Sequence, residues 1–366
     1  MPCLSKKIKA FLCYMNRNTI INQRELIMND DITCEILALS QIYNNGTEIT
    51  DDTTDRELFR LIALHTTALI KRKSQPLPFS AYYFGDKLQI KATKTGRLFY
   101  ELIQNILSLS RVTGNRRKLH PVIPLIASLA EKYHIRYVPM LSEYCPDSEE
   151  DIKQLNEGYC EFIQSVDRKE YKTAVSTFKN SARKNYRFCC RYIENLFERH
   201  AKLLVVRTDL SYGKRVSHRV TAGDLTRHRI ALYKAIQRLP LFKHCVGYIL
   251  KLEYGREKGF HYHCLFFFNG QHVRQDITIA RLIGEFWQET ITEGQGLYFN
   301  CNRFKSDYRI CGIGMLHRSE SQRREGLMTA VNYICKTDQW VKLQVPGIDR
   351  TFWRGTIRNK RRKTRR

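Results

Sequence analysis

The sequence predicts an α+β fold: a mainly antiparallel sheet with flanking helices, preceded by a mostly helical N-terminal region. Three observations carry this. Apolar residues recur at three- and four-residue spacing through the first half. The texture changes at Lys202, where short strand-like runs such as Leu203–Leu210 take over. The later strand signals arrive as hairpins, so the order reads β-α-β-β-α-β-β-α and not the regular strand–helix alternation of a doubly wound sheet.

The helical texture lies in Glu35–Tyr43, Arg56–Lys71, Gly96–Leu109, Val122–Tyr133 and Glu149–Val166. Between these segments stand helix starters such as Asp51 to Thr54 and breakers such as Gln75-Pro76-Leu77-Pro78. A longer helix is expected from about Lys169 to His200, with a basic face of Lys179, Arg183, Lys184, Arg187 and Arg191. Residues 1–195 therefore read as a helical accessory region without a catalytic motif. Residues 196–345 hold the sheet. Strands are expected at Leu203–Leu210, Val246–Glu253, Phe260–Phe268, Leu297–Asn302 and Tyr308–Leu316, with helices at about 224–238, 277–291 and 322–339. Residues 346–366 end in a basic run, expected to be a disordered, phosphate-seeking arm.

Composition narrows the class of partner. Lys and Arg number 62 against 36 Asp and Glu in 366 residues, a formal charge of +26. With 43% hydrophobic and 11% aromatic residues the chain is not a disordered one. Such an excess of positive charge points to a polyanion, nucleic acid first; a basic protein kept soluble by its charge is the plainer alternative. No apolar run is long enough for a membrane-spanning helix, and the start MPCLSKKIKAFLCYM lacks the long apolar core of a secretory signal. Twelve cysteines without a CxxC pair read as reduced thiols. A cytoplasmic location is the expectation.

Parity sorts the strand residues into faces. Phe260, Tyr262, Cys264, Phe266 and Phe268 share one face, and His261 and His263 the other. Glu253 and Lys251 lie opposite the apolar set of their strand, and Arg207 and Asp209 opposite Val206, Thr208 and Leu210. Two histidines and the Glu253 carboxylate at one sheet end suit a divalent metal. Imidazoles accept Mn²⁺ readily, Mg²⁺ prefers oxygen, and Zn²⁺ with an open position also fits the donor set. On the last helix Leu327, Ala330, Val331 and Ile334 form the apolar stripe, and Tyr333 falls well off it with Lys336 one turn later. A neighbouring cation favours the phenolate of a tyrosine whose ordinary pKa is about 10. Taken singly, each motif also fits ordinary packing.

Together GFHYHCLFFFNG and AVNYICKTDQW resemble the HUH endonuclease superfamily, and within it the inovirus gene-2-type family with the YagK/YfjJ-like proteins. His261-Tyr262-His263 matches the His-hydrophobe-His motif, with Tyr in place of an aliphatic, and Tyr333-Ile334-Cys335-Lys336 matches YxxK. Glu253 resembles the acidic third ligand of some replication initiators. The resemblance runs from about Lys202 to Trp340 and implies an HUH-type sheet. It implies Mn²⁺ or Mg²⁺ held by Glu253, His261 and His263, and a single-tyrosine nickase in which Tyr333 attacks and Lys336 steadies charge. The reaction would start rolling-circle replication of a phage or prophage element on single-stranded or melted origin DNA, through a 5′-phosphotyrosine. Arg207, Lys251, Arg358, Lys360, Arg361 and Arg362 are the expected DNA contacts. Without a GxxxxGK[ST] run, the chain is expected to borrow a host helicase. Two other readings stand beside this one: a non-catalytic DNA-binding protein on the same scaffold, and a metal-dependent phosphodiesterase without a covalent intermediate.

Overall fold

The strand-like segments that begin at Lys202 fold into one six-stranded sheet, and the helical texture before it closes around a core of its own. A computed structural model describes residues 51–72, 77–85, 87–110, 117–137, 148–255, 258–336 and 340–356, all within one compact unit spanning residues 47–366. The helix expected over Glu35–Tyr43 lies outside the described residues.

In the first part, helix α1 (Asp51–Lys71) leads into a hairpin of β1 (Phe79–Phe84) and β2 (Lys87–Ala92). Helix α2 (Lys94–Ser110), strand β3 (Arg117–Leu119), helix α3 (Val122–Lys132) and helix α4 (Glu149–Asp167) follow. Their apolar stripes, among them Ile62, Phe99, Ile103, Ile126 and Phe162, meet in one buried cluster. Ser148 starts α4 by accepting from the Asp151 N–H at 3.2 Å, and Glu149, Glu150 and Asp151 complement the positive end of the helix. The hairpin was not expected: of β1 only Phe79 is buried, so the strand offers no alternation to read. Helix α5 (Lys169–Arg199) joins the two parts, and the boundary expected at 195/196 falls inside it. The edge of its Tyr192 ring packs on Phe267 of the sheet, centroids 6.4 Å apart.

The second part runs through β4 (Lys202–Tyr212), α6 (Ala222–Arg238), β5 (Cys245–Gly255), β6 (Gly259–Asn269) and α7 (Asp276–Glu285), which continues as a π-turn over Phe286–Ile291. After it come β7 (Gly296–Asn300), β8 (Gly314–His317), α8 (Ser321–Lys336), β9 (Val341–Leu343) and β10 (Phe352–Arg354). The strand order is β10-β5-β6-β4-β7, with β8 pairing to the other end of β4, and every pairing is antiparallel. The mixed α+β class and the helical first part are as the sequence predicts.

Leu204, Val206 and Leu210 of β4, Leu250 and Leu252 of β5, and Tyr262, Phe266 and Phe268 of β6 form one face, covered by Leu225 and Leu232 of α6, Ile283 of α7 and Trp287 of the π-turn. Helices α5 and α8 reach the other face, through Tyr192 and Tyr333.

Two expectations are corrected. The strand expected over Tyr308–Leu316 pairs only from Gly314, because the chain before it seats α8. A Cβ on Gly312 would stand 1.9 Å from Leu327 N, and one on Gly326 2.7 Å from Ile310 O, so both positions require glycine. The expected arm does not begin at residue 346, since Phe352–Arg354 pairs with Ile249–Lys251 and Phe352 is buried. Arg358, Lys360, Arg361 and Arg362 lie outside the described residues. No helix among the described residues is long and apolar enough to cross a membrane.

Candidate metal and tyrosine site

Register, more than sequence proximity, assembles the site. The β5–β6 hairpin closes with Gly255 opposite Gly259, whose φ of +64° is a conformation that suits glycine. That turn sets Glu253 directly across from His261 and Lys251 across from His263, while on the other side of β6 His263 lies across from Asp209 of β4. Cross-strand partners share a face, so Glu253, His261, His263 and Asp209 converge on the face opposite the apolar core. All but Asp209 are below 10% exposed.

The two imidazoles stand nearly perpendicular, centroids 5.0 Å apart. His261 Nδ1 is 3.0 Å from Gly259 O, which makes it the donor and leaves Nε2 with the free lone pair. That Nε2 is buried without a hydrogen-bond partner. His263 Nδ1 is 2.9 Å from Asp209 Oδ1, and its Nε2 is 3.4 Å from Glu253 Oε2. One ligand atom from each of Glu253, His261 and His263 lies within 4.8 Å of the other two. This is close to the ~3–4 Å spacing of donors that share one ion at ~2.1 Å. An orphaned buried imidazole nitrogen, a second imidazole oriented by a carboxylate and a third donor that is itself a carboxylate fit a divalent cation.

The electrostatics divide the two histidines. Burial, then the neighbouring His263, lowers the His261 pKa to about 4, so this ring is neutral. Burial also lowers that of His263, but the Asp209 and Glu253 carboxylates outweigh it and the net direction is up. Asp209 is pushed up by burial and more strongly down by His263, Arg207 and His261, and it ends well below the usual carboxylate range. A proton or a metal cation is what such a pocket attracts.

Tyr333 sits over this cluster. Its ring is 5.9 Å from that of His263 and its exposure is 6%, so the residue expected on an open polar side is instead enclosed by the sheet face. The Arg207 guanidinium lies 5.4 Å from the Tyr333 ring centroid and 3.9 Å from Asp209 through Nε. Lys336 closes α8 three residues after Tyr333; its side chain lies outside the described part of the structure.

Two expected DNA contacts are placed differently. Arg207 is 5% exposed and held within the site, and Lys251 is 1% exposed with its ammonium donating to Thr351 Oγ1 at 3.2 Å, so neither is presented on an open surface. Sequence reasoning gave no role to Asp209, whose parity was the available signal, and it missed Asn302 altogether. Strand β4 meets β8 as far as Val205 and β7 from Thr208. Asn302 fills the break between them: its side chain accepts from Arg207 N–H at 2.7 Å and donates to Val205 O at 3.0 Å and Asp276 Oδ2 at 2.9 Å. Lys305 Nζ donates to the same Asp276 oxygen at 2.8 Å. An amide thus completes the ladder at the residue that carries the Arg207 guanidinium.

Residues 166–340 match the family model of the YagK/YfjJ C-terminal domain. The matched stretch takes in α5, the sheet from β4 to β8 and α8, and with them Glu253, His261, His263 and Tyr333. No curated protein and no solved structure matches the chain.

Proposed function

We propose that the chain is an HUH-type, metal-dependent endonuclease that nicks and rejoins single-stranded DNA through a 5′-phosphotyrosine on Tyr333, as an initiator of rolling-circle replication would. The observation that carries the reading is the enclosed Glu253–His261–His263 cluster with Tyr333 above His263, joining two motifs that are 70 residues apart in the chain. Glu253, His261 and His263 would hold the cation, Mn²⁺ or Mg²⁺, which when bound would polarise a non-bridging oxygen of the scissile phosphate.

The remaining work falls to the chain's own groups. Asp209 and the Gly259 carbonyl orient the two rings through their Nδ1 atoms, so each Nε2 is directed inward. Arg207 places a permanent cation on the Tyr333 ring, which favours the phenolate and steadies the negative charge that grows at phosphorus. The Tyr333 oxygen forms the new P–O bond, the bond to the 3′ oxygen breaks, and the tyrosine proton is balanced by protonation of the released 3′-OH. Rejoining reverses these steps. The burial of Tyr333 between α8 and the sheet limits water, which would otherwise hydrolyse the intermediate. The surplus of positive charge suits a nucleic-acid substrate.

The test is a cleavage assay with Mn²⁺ on labelled single-stranded oligonucleotides. A protein–DNA adduct that survives denaturation and disappears in Tyr333→Phe is the expected result, with the variant as stable as the parent. Cleavage that persists in Tyr333→Phe without an adduct would replace this reading with a phosphodiesterase, and salt-sensitive binding with no cleavage under any divalent metal would replace it with a binding protein.

A further inference from the structure

The row of cross-strand partners that holds His263 and Asp209 continues outward to an aromatic side chain. Asp209 pairs with Phe299 of the edge strand β7, and Ser211 pairs with Leu297. Cross-strand partners share a face, so Phe299 and Leu297 lie on the same side of the sheet as the histidines, but in the open: they are 50% and 47% exposed. From His263 to Phe299 is two strand spacings, roughly 10 Å. Phe299 is not alone. Phe304, 43% exposed, lies nearly parallel to it, with centroids 5.2 Å apart and an angle of 4° between the rings. Local hydrogen bonds hold this pair in one position. Asn300 accepts from Arg303 N–H at 3.2 Å and so starts the 3₁₀ turn that returns Phe304 over Phe299. Asn302, within the same turn, is locked to Arg207 N and Val205 O.

A solvent-exposed pair of parallel aromatic rings costs free energy in water and contributes nothing to the buried core. The segment that carries Phe304 is cationic: Arg303 and Arg309 are exposed, Lys305 is paired with Asp276, and Asp307 is the single acid between the two arginines. Flat aromatic surface within a positively charged rim is the chemistry that binds the bases and backbone of a single strand. We infer that Phe299 and Phe304 form a base-stacking platform that holds a nucleotide flanking the scissile phosphate, while Arg303 and Arg309 neutralise the adjoining backbone. The inference rests on the nucleic-acid reading of the neighbouring site and names how that substrate is held. Because each base has a π-face, the platform is tolerant of sequence.

The test is a cycle between protein and DNA in the full-length chain carrying Tyr333→Phe, so that binding is read without turnover. Affinity for a labelled, mixed-sequence single-stranded oligonucleotide is measured by anisotropy, with intact bases and with abasic sites stepped along the strand. Phe299→Ala and Phe304→Ala are expected to weaken binding by roughly ten-fold each, Phe299→Trp to restore it, and an abasic site at one register to weaken the parent but not the alanine variants. A 2-aminopurine at that register should be quenched by the parent alone. Equal abasic losses in parent and variants, or unchanged affinity in both variants, overturn the platform. So does a change confined to self-association in sedimentation, which would make the pair a protein contact. Adduct formation with Tyr333 intact is measured alongside: adducts without base coupling remove the platform and leave the nickase, whereas base coupling without adducts leaves the platform and removes the nickase.

Discussion

The molecule buries histidines in two places with opposite surroundings, and the contrast shows what makes a buried imidazole into a site. His120, after β3, is 2% exposed; its Nδ1 accepts from Val122 N–H at 3.2 Å, and its Nε2 is buried without a hydrogen-bond partner. In burial it resembles His261, but an Nδ1 that accepts places the ring proton on Nε2, whereas the Nε2 of His261 carries the free lone pair. Its neighbours, however, are aromatic and cationic. The ring stacks on Trp340 at 4.4 Å, meets the edge of Phe178 at 5.7 Å, and burial followed by the charge of Lys179 lowers its pKa to about 3. Nothing there would draw in a second cation. At the sheet end the same residue type faces Asp209 and Glu253, and the His263 pKa moves up despite equal burial. Burial is common to both places; the tautomer and the carboxylates distinguish them, since only at the sheet end does a free Nε2 lone pair stand beside negative charge. His120 is a packing element between the helical part and the segment after α8, tied also by its N–H to Trp340 O at 2.9 Å.

The comparison breaks most visibly through the metal. Mn²⁺ at a hundred times its dissociation constant would stabilise the parent by about 2.7 kcal/mol. His261→Ala and His263→Ala are expected to abolish that shift in Tm and to lower adduct formation on the order of a thousand-fold or more. His120→Phe, which keeps an aromatic ring in the stack, should retain both. A metal shift that survives the sheet variants and disappears in the His120 variant would invert the assignment.

Acid sharpens the comparison from the other side. The folded-state pKa of His120 lies below that of the unfolded chain, near 6.5, so the unfolded state binds the proton first. The contribution of neutral His120 is therefore complete above about pH 6.5 and is lost as the pH falls toward about 3. By pH 4 the loss amounts to ~3 kcal/mol. Denaturant titrations in metal-free buffer between pH 7 and pH 4 are expected to show a flatter pH dependence for His120→Phe than for the parent. Parallel slopes for the two proteins would show that His120 does not titrate as its surroundings require.

How much of this was legible from residues alone depends on the range of the interactions. The strand Gly259–Asn269 could be read because strand parity is local, and parity alone places both histidines on one face. Helices with a continuous apolar stripe were legible for the same reason. Strands β9 and β10 were not: each has three residues, and each exists through a partner 90 or more positions away. The hairpin β1–β2 buries too little to leave a pattern. Tyr333 was found by its spacing from Lys336, yet its enclosure was not, because it depends on how α8 is seated, and the close approach of Gly312 to Gly326 that seats it joins residues no periodicity links. The exposed stack of Phe299 on Phe304 likewise depends on a turn whose direction no periodicity records.

Asn302 is the hardest case and gives the smallest predicted effect. It has no motif, and its partners Arg207 N and Val205 O stand 95 and 97 residues away. Removing its amide leaves a buried N–H and a buried carbonyl in β4 without partners, at a cost of about 1–3 kcal/mol. That alone would mark a structural residue. Its link to the chemistry is the N–H it holds, which belongs to Arg207, and the Arg207 guanidinium is the cation on the Tyr333 ring. Asn302→Ala is therefore expected to keep the Mn²⁺-dependent shift in Tm, since Glu253, His261 and His263 are untouched. The same variant should form adduct more slowly and require a higher pH to reach half its maximal rate, as a tyrosine with a displaced cation ionises less readily. Loss of stability with an unchanged pH–rate profile would return Asn302 to the sheet and separate it from the chemistry.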